Sequence, residues 1–232
     1  MTQPLDILVF GAHPDDAEIG MGGTIAKHTS TGLRVGICDL TEAEMSSNGT
    51  VETRRREAEH AARALGIACR SNLRLPDRGL AVCKEHIDPI VKEIRKYRPA
   101  IVFAPYWQDR HPDHVACSLL VQEAVFNAKL RRYLPESEPV SVQLYFYFIN
   151  DVHEADLMVD VSPYYDRKMA ALRAYASQFD PADGANGYVK TPLNQGYLER
   201  VEARDRLLGQ KRFVEVAEGF VTKLPYLVDR FM

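Results

Sequence analysis

The chain has 232 residues, of which 46% are hydrophobic and 26% charged, with a net charge of -3. That length and apolar content support one sizeable core, and the balance excludes both a disordered chain and a broad nucleic-acid footprint. No run approaches the ~18 apolar residues of a membrane span. The first apolar run has no basic flank, and Cys38, Cys69, Cys83 and Cys117 form no C-x-x-C pair, so a reduced, cytoplasmic protein is expected.

Apolar runs alternate with helical patterns along the first half. Leu5–Phe10 reads as a strand, followed by a helix to about Thr31; Leu33–Leu40 reads as the next strand, followed by a helix over about Glu52–Leu65. A short run near Ser71–Leu75 precedes a helix over about Glu85–Tyr97, and Ala100–Pro105 precedes one over about Asp113–Lys129. Four strand–helix units in succession predict a single-domain, Rossmann-like three-layer α/β sandwich over residues 1–232 with a mainly parallel sheet. Further strands are expected at Val140–Ile149 and Asp156–Val161, and helices at Pro163–Ser177 and Tyr197–Leu208. A last apolar segment covers Phe213–Phe220, and the clearest loop cluster runs from Asp180 to Tyr188.

Two motifs stand behind strands one and four. The first is His13-Pro14-Asp15-Asp16 and the second is His111-Pro112-Asp113-His114. In an open α/β sheet, ligands bind beyond the carboxyl ends of the strands at the switch point, which strands one and four commonly flank. Pro14 fixes its own φ and keeps His13 extended, so the first turn is stiff. If both turns converge, His13, Asp16 and His114 supply two imidazoles and a carboxylate, with the open position a catalytic zinc requires. Asp15, His111 and Asp113 are left for chemistry. Taken singly, each residue is better read as a turn histidine or a helix N-cap; the pair of motifs favours a metal site.

Gly20, Gly22 and Gly23 match neither the dinucleotide nor the P-loop pattern and are expected to let a helix pack closely on the sheet. Asp39, ending the second strand, is a weak nucleotide-site feature. Trp107 is expected to be a packing residue, and Arg55 and Arg56 to lie on a solvated helix face.

"AHPDDAEIGMGG" followed about a hundred residues later by "RHPDH" resembles the zinc-dependent N-deacetylases of the phosphatidylinositol-glycan deacetylase and LmbE-like family. "DLTEAEMSSNGTVETRRREA", "LPDRGL", "YASQF" and "AEGF" are similar to its bacillithiol biosynthesis branch. The resemblance implies hydrolysis of an N-acetylglucosamine amide, N-acetylglucosaminyl malate in that branch, with Zn2+ or Fe2+ as cofactor and a homo-oligomer, often a hexamer. By motif it implies His13, Asp16 and His114 as metal ligands and Asp15 as general base. His111, held cationic by Asp113, would be an oxyanion stabiliser or a general acid. It also implies Arg54 and Tyr197 at the substrate. Asp77 could accept sugar hydroxyls, although a turn-forming role is nearly as good a reading. Hydrolysis of another ester or phosphate, or nucleotide binding without catalysis, are the alternatives. No nucleic-acid or membrane partner is expected.

Overall fold

The run Leu5–Phe10 is apolar on both sides because the strand it enters is covered on both faces. In the computed structural model, which describes residues 3–180 and 188–225, β1 is Ile7–Gly11 and every residue in it is buried. Ile7 and Val9 enter one hydrophobic core, while Leu8 and Phe10 enter the other. This is the period-2 alternation of a strand between two helical layers.

The remaining strands are β2 (Val35–Asp39), β3 (Cys69–Asn72), β4 (Ile101–Pro105), β5 (Gln143–Tyr147), β6 (Leu157–Asp160) and β7 (Ala217–Val221). They form one sheet in the order β3-β2-β1-β4-β5-β7-β6. The first five run parallel, and β7 lies antiparallel between β5 and β6. The mainly parallel α/β architecture is therefore as expected, and the switch point lies between β1 and β4, where the two motifs emerge.

Helices α1 (Asp16–Ser30), α2 (Val51–Leu65) and α5 (Tyr165–Arg173) cover one face, and α3 (Lys84–Tyr97) and α4 (Pro112–Ala128) the other. Their apolar spacing explains their seats. Ile87, Ile90, Val91 and Ile94 bury one stripe of α3, and Arg54, Ala58, Ala61 and Leu65 bury one stripe of α2. Gly66, with φ 66°, closes α2 in the left-handed conformation that glycine tolerates best. After α5 come α6 (Ala176–Phe179) and α7 (Tyr197–Gln210), followed by β7.

The α1 glycines do pack close. A Cβ on Gly20 would lie 2.1 Å from a ring carbon of buried Tyr147. At Met21 the helix is kinked, with φ -149° and ψ 24°. The amides of Gly23 and Thr24 beyond the kink are accepted by the two oxygens of Glu218 at 2.9 and 2.6 Å. Arg204 donates to the Ile19 carbonyl at 2.7 Å before it. A buried cluster thus satisfies backbone groups near the kink.

Some boundaries differ from the sequence expectation. The third strand lies earlier than Ser71–Leu75, because Gly36–Asp39 pair with Cys69–Asn72. The helix expected over Pro163–Ser177 is split, since α5 ends at Arg173 and α6 begins at Ala176. The last strand excludes Phe213, which is 98% exposed after the α7 turn. All four cysteines are free, as expected. Most of the Asp180–Tyr188 loop cluster lies outside the described residues.

Candidate functional site

The turn after β1 carries the first motif at a strained point. Asp15 has φ 120° and ψ -23°, a region that residues with a Cβ enter rarely. Asp15 precedes α1 but makes no side-chain cap, so the simple N-cap reading fails for it. After β4, His111 is the N-cap of α4, its Nδ1 accepting the Asp113 amide at 3.2 Å, and Pro112 occupies the first turn. Because β1 and β4 are adjacent and parallel, both turns open on the same end of the sheet.

The side chains meet there. Asp16 lies 3.1 Å from His114 Nε2 through one oxygen and 3.7 Å from His13 Nδ1 through the other. The rings of His111 and His114 stack with centroids 4.7 Å apart, and His13 stands 4.8 Å from His111. One donor atom each from His13, His111 and His114 falls within 4.8 Å of the others, as does one each from His13, Asp77 and Asp113.

Hydrogen-bond partners set the tautomers. His114 Nδ1 donates to Asp109 Oδ1 at 3.0 Å, and Nε2 faces Asp16 Oδ1 at 3.1 Å, sharing the second ring proton with that carboxylate. His13 Nε2 donates toward Asp77 Oδ1 at 3.2 Å and faces Asp113 Oδ2 at 3.5 Å, while Nδ1 faces the Asp16 carboxylate at 3.7 Å. His111 is different. Its Nδ1 accepts from a backbone amide, so the neutral ring presents Nε2–H as a donor. His13, His111 and His114 could hold a divalent cation, and Asp16 faces the first and last of them, with carboxylates behind both of those imidazoles in the arrangement that orients metal-binding histidines.

Electrostatics agree with a cation site. Burial disfavours charge on His13, but the hydrogen bonds to Asp113 and Asp77 and the charge of Asp16 outweigh it and push the ring up to about 10. At His114, burial is likewise outweighed, by Asp16 and Asp109, and the value rises to about 9. Burial raises Asp15 to about 6 against the pull of Arg54. Asp16 stays well below the ordinary range, because His114 and His13 overcome its burial.

The sequence expectation needs two corrections here. Asp113 does not hold His111 as an imidazolium: its carboxylate accepts from the Arg78 amide at 2.9 Å and the Arg78 guanidinium at 3.1 Å, and faces His13. Burial and the nearby charges of His114 and His13 lower the His111 pKa, favouring the neutral ring. Asp77 does not stand free for sugar hydroxyls, because its oxygens take His13 and the Met45 amide at 2.9 Å. The reason is spatial: α4 capping turns Asp113 away from its sequence neighbour, and the loop after β3 folds under His13.

A cavity of about 460 Å³ opens over this cluster, within the range of small-molecule sites. Asp15, Arg54, Asp77, His111 and Tyr197 line it with Arg78, Arg110 and Asn150. Arg54 is 2% exposed; it donates to the Pro14 carbonyl and, at 3.0 Å, to Asp15. Among the described residues its Nε and Nη1 have no partner. Arg55 and Arg56 are exposed, as expected. Trp107 packs against Tyr106 and Phe146 outside the cavity. Asp39 is taken by both arms of Arg70, at 2.7 and 2.9 Å, which removes the nucleotide-site feature. Sequence reasoning missed Asp109, Arg110 and Asn150. The first two had a signal in their place just before the second motif, whereas Asn150 had none.

A family model described as GlcNAc-PI de-N-acetylase (PIG-L) matches residues 8–125, a span holding both motifs. The chain belongs to this family. It is 34% identical over 189 residues to diacetylchitobiose deacetylase of Thermococcus kodakarensis, covering 75% of this chain and 70% of that protein. A probable N-acetyl-alpha-D-glucosaminyl L-malate deacetylase 2 of Bacillus subtilis is 29% identical over 187 residues, covering 74% and 82%. Among solved structures, a conserved protein from Thermus thermophilus superposes with TM-score 0.88 at 41% identity over 97% of both chains. As a PIG-L family member the chain is an amide hydrolase of the deacetylase type. No helix among the described residues is long and apolar enough to cross a membrane.

Proposed function

We propose that this PIG-L enzyme removes acetate from an N-acetylglucosamine derivative, with N-acetylglucosaminyl malate, the bacillithiol precursor, as its substrate. The observation that carries the reading is the convergence of His13 Nδ1, the Asp16 carboxylate and His114 Nε2 beside a buried Asp15. Zinc, or ferrous iron on the same ligands, would polarise the acetyl carbonyl and make water acidic enough to supply hydroxide near neutral pH. Asp15, raised to about 6 and ionised at neutral pH, takes the proton of the attacking water. His111 points a neutral Nε2–H at the cavity, where it donates to the developing oxyanion or the departing nitrogen. Arg54, with two buried N–H-bearing nitrogens unpartnered among the described residues, takes a carboxylate of the malate aglycone. Tyr197 closes one side of the cavity, and its hydroxyl donates to Asn150 at 3.0 Å. The cytoplasmic location and the homo-oligomer, up to a hexamer, belong to the same proposal.

The test is a screen of metal-reconstituted protein for acetate release from N-acetylglucosaminyl malate, N-acetylglucosaminyl inositol, diacetylchitobiose and plain N-acetylglucosamine. The expected result is release from all the small conjugates at unequal rates, with the malate conjugate fastest. Metal-loaded protein that hydrolyses an ester or a phosphate but none of these amides would overturn the reading.

A further inference from the structure

Asp109 and Asn150 contribute no reacting atom, yet the hydrogen bonds of the site converge on them. Asp109 Oδ1 accepts from His114 Nδ1 at 3.0 Å, from the His111 amide at 2.7 Å and from Asn150 Nδ2 at 2.9 Å. Its other oxygen accepts the Asn150 amide at 3.1 Å. Four donors leave this carboxylate one orientation, and that orientation aims His114 Nε2 at Asp16.

Asn150 is fixed in turn. Its Nδ2 must face the Asp109 carboxylate, so its Oδ1 faces away, where it accepts from Arg110 Nη2 and from the Tyr197 hydroxyl, both at 3.0 Å. Flipping the amide would set the carboxylate against Oδ1 and both cavity donors against Nδ2. One side chain therefore joins three pieces of backbone: the loop after β4, the loop after β5 and the start of α7.

We propose that Asn150 is a positioning residue that couples the metal ligand His114, through Asp109, to the substrate-facing Arg110 and Tyr197. The inference rests on the metal-dependent reading above. A stitch that only held the loops together would affect melting but not the metal. A coupling joint alters the ligand field at His114, and its cavity side alters substrate binding.

The experiment compares wild type with Asp109→Asn and Asn150→Ala. Three readouts are taken: the Zn2+ Kd by chelator competition, the visible spectrum of the Co2+ form, and the split between kcat and KM for an N-acetylglucosaminyl substrate. Both variants are expected to bind Zn2+ about 10- to 100-fold more weakly, with a changed Co2+ spectrum. Asn150→Ala should raise KM as well, while Asp109→Asn, which leaves the cavity side intact, should act mainly on kcat. Should Asn150→Ala fail to fold, near-isosteric Asn150→Asp tests the same joint. It sets a second carboxylate against Asp109 and should weaken Zn2+ binding further. Wild-type Kd and Co2+ spectrum in folded position-150 variants would overturn the coupling alone. A wild type that binds no metal would overturn the deacetylase reading and this inference with it.

Discussion

Replacing Lys168 by Met should be among the most destabilising single changes in the molecule. Lys168 is fully buried, and its ammonium donates to Asp205 at 2.6 Å and to Glu218 at 2.7 Å. Asp205 also accepts from Arg204 at 2.9 Å, so the cluster holds two cations against two carboxylates. Methionine keeps the apolar stem but leaves one negative charge uncompensated in the core. Breaking a buried pair in this way costs about 3–5 kcal/mol. At about 2–4 °C per kcal/mol for a chain of this size, the melting point should fall by roughly 6–20 °C. The loss reaches the site, because the same Glu218 accepts the Gly23 and Thr24 amides beyond the kink of α1, the helix that begins with Asp16. Thermal unfolding of wild type and variant, followed by circular dichroism at neutral pH with and without added zinc, measures the effect. A shift under about 2 °C would show that the cluster is relaxed or hydrated and would refute the reasoning.

Asp15→Asn should retain metal while slowing turnover by about 10²- to 10⁴-fold. The acid limb of wild-type kcat/KM should have an apparent pKa at or below about 6, since activity needs ionised Asp15 and a bound cation pulls it down; near-normal turnover would remove Asp15 as the base. Arg54→Ala should slow every substrate by raising the Asp15 pKa. It should cost the malate conjugate a further 10- to 150-fold, from about 1.5–3 kcal/mol of lost charge-assisted contact. Equal losses on malate conjugate and plain sugar would remove the anion contact. Metal affinity should weaken as pH falls, because two ring protons held by carboxylates, at about 10 and about 9, must leave before His13 and His114 can coordinate. Between pH 8 and 6 the Zn2+ Kd should rise by about 100-fold per unit, one decade per proton; a Kd independent of pH would exclude both imidazoles as ligands.

Much of this was readable from the chain alone. Strand ends, helix starts and residue chemistry are local properties, so "AHPDD" behind β1 and "RHPDH" behind β4 already placed two imidazole–carboxylate clusters at the carboxyl end of a parallel sheet. The family resemblance set Arg54 apart from Arg55 and Arg56, and the structure puts it on the buried stripe of α2 while the other two are exposed. Only the tertiary structure decided which atom faces which. Asp113 adjoins His111 in sequence but turns to Arg78 and His13. Asp77 comes from another loop to hold His13 and the Met45 amide, and Asn150 joins Asp109 from across β5. Hydrogen bonds act over about 3 Å and depend on direction, so sequence neighbours can point apart while residues dozens of positions away share a proton. The pattern of residue types can specify which chemistry is present, and the partners of His111 and His114 lie close in sequence, but the Asp77 that holds His13 and the Asn150 that braces Asp109 are brought within reach only by the folded register.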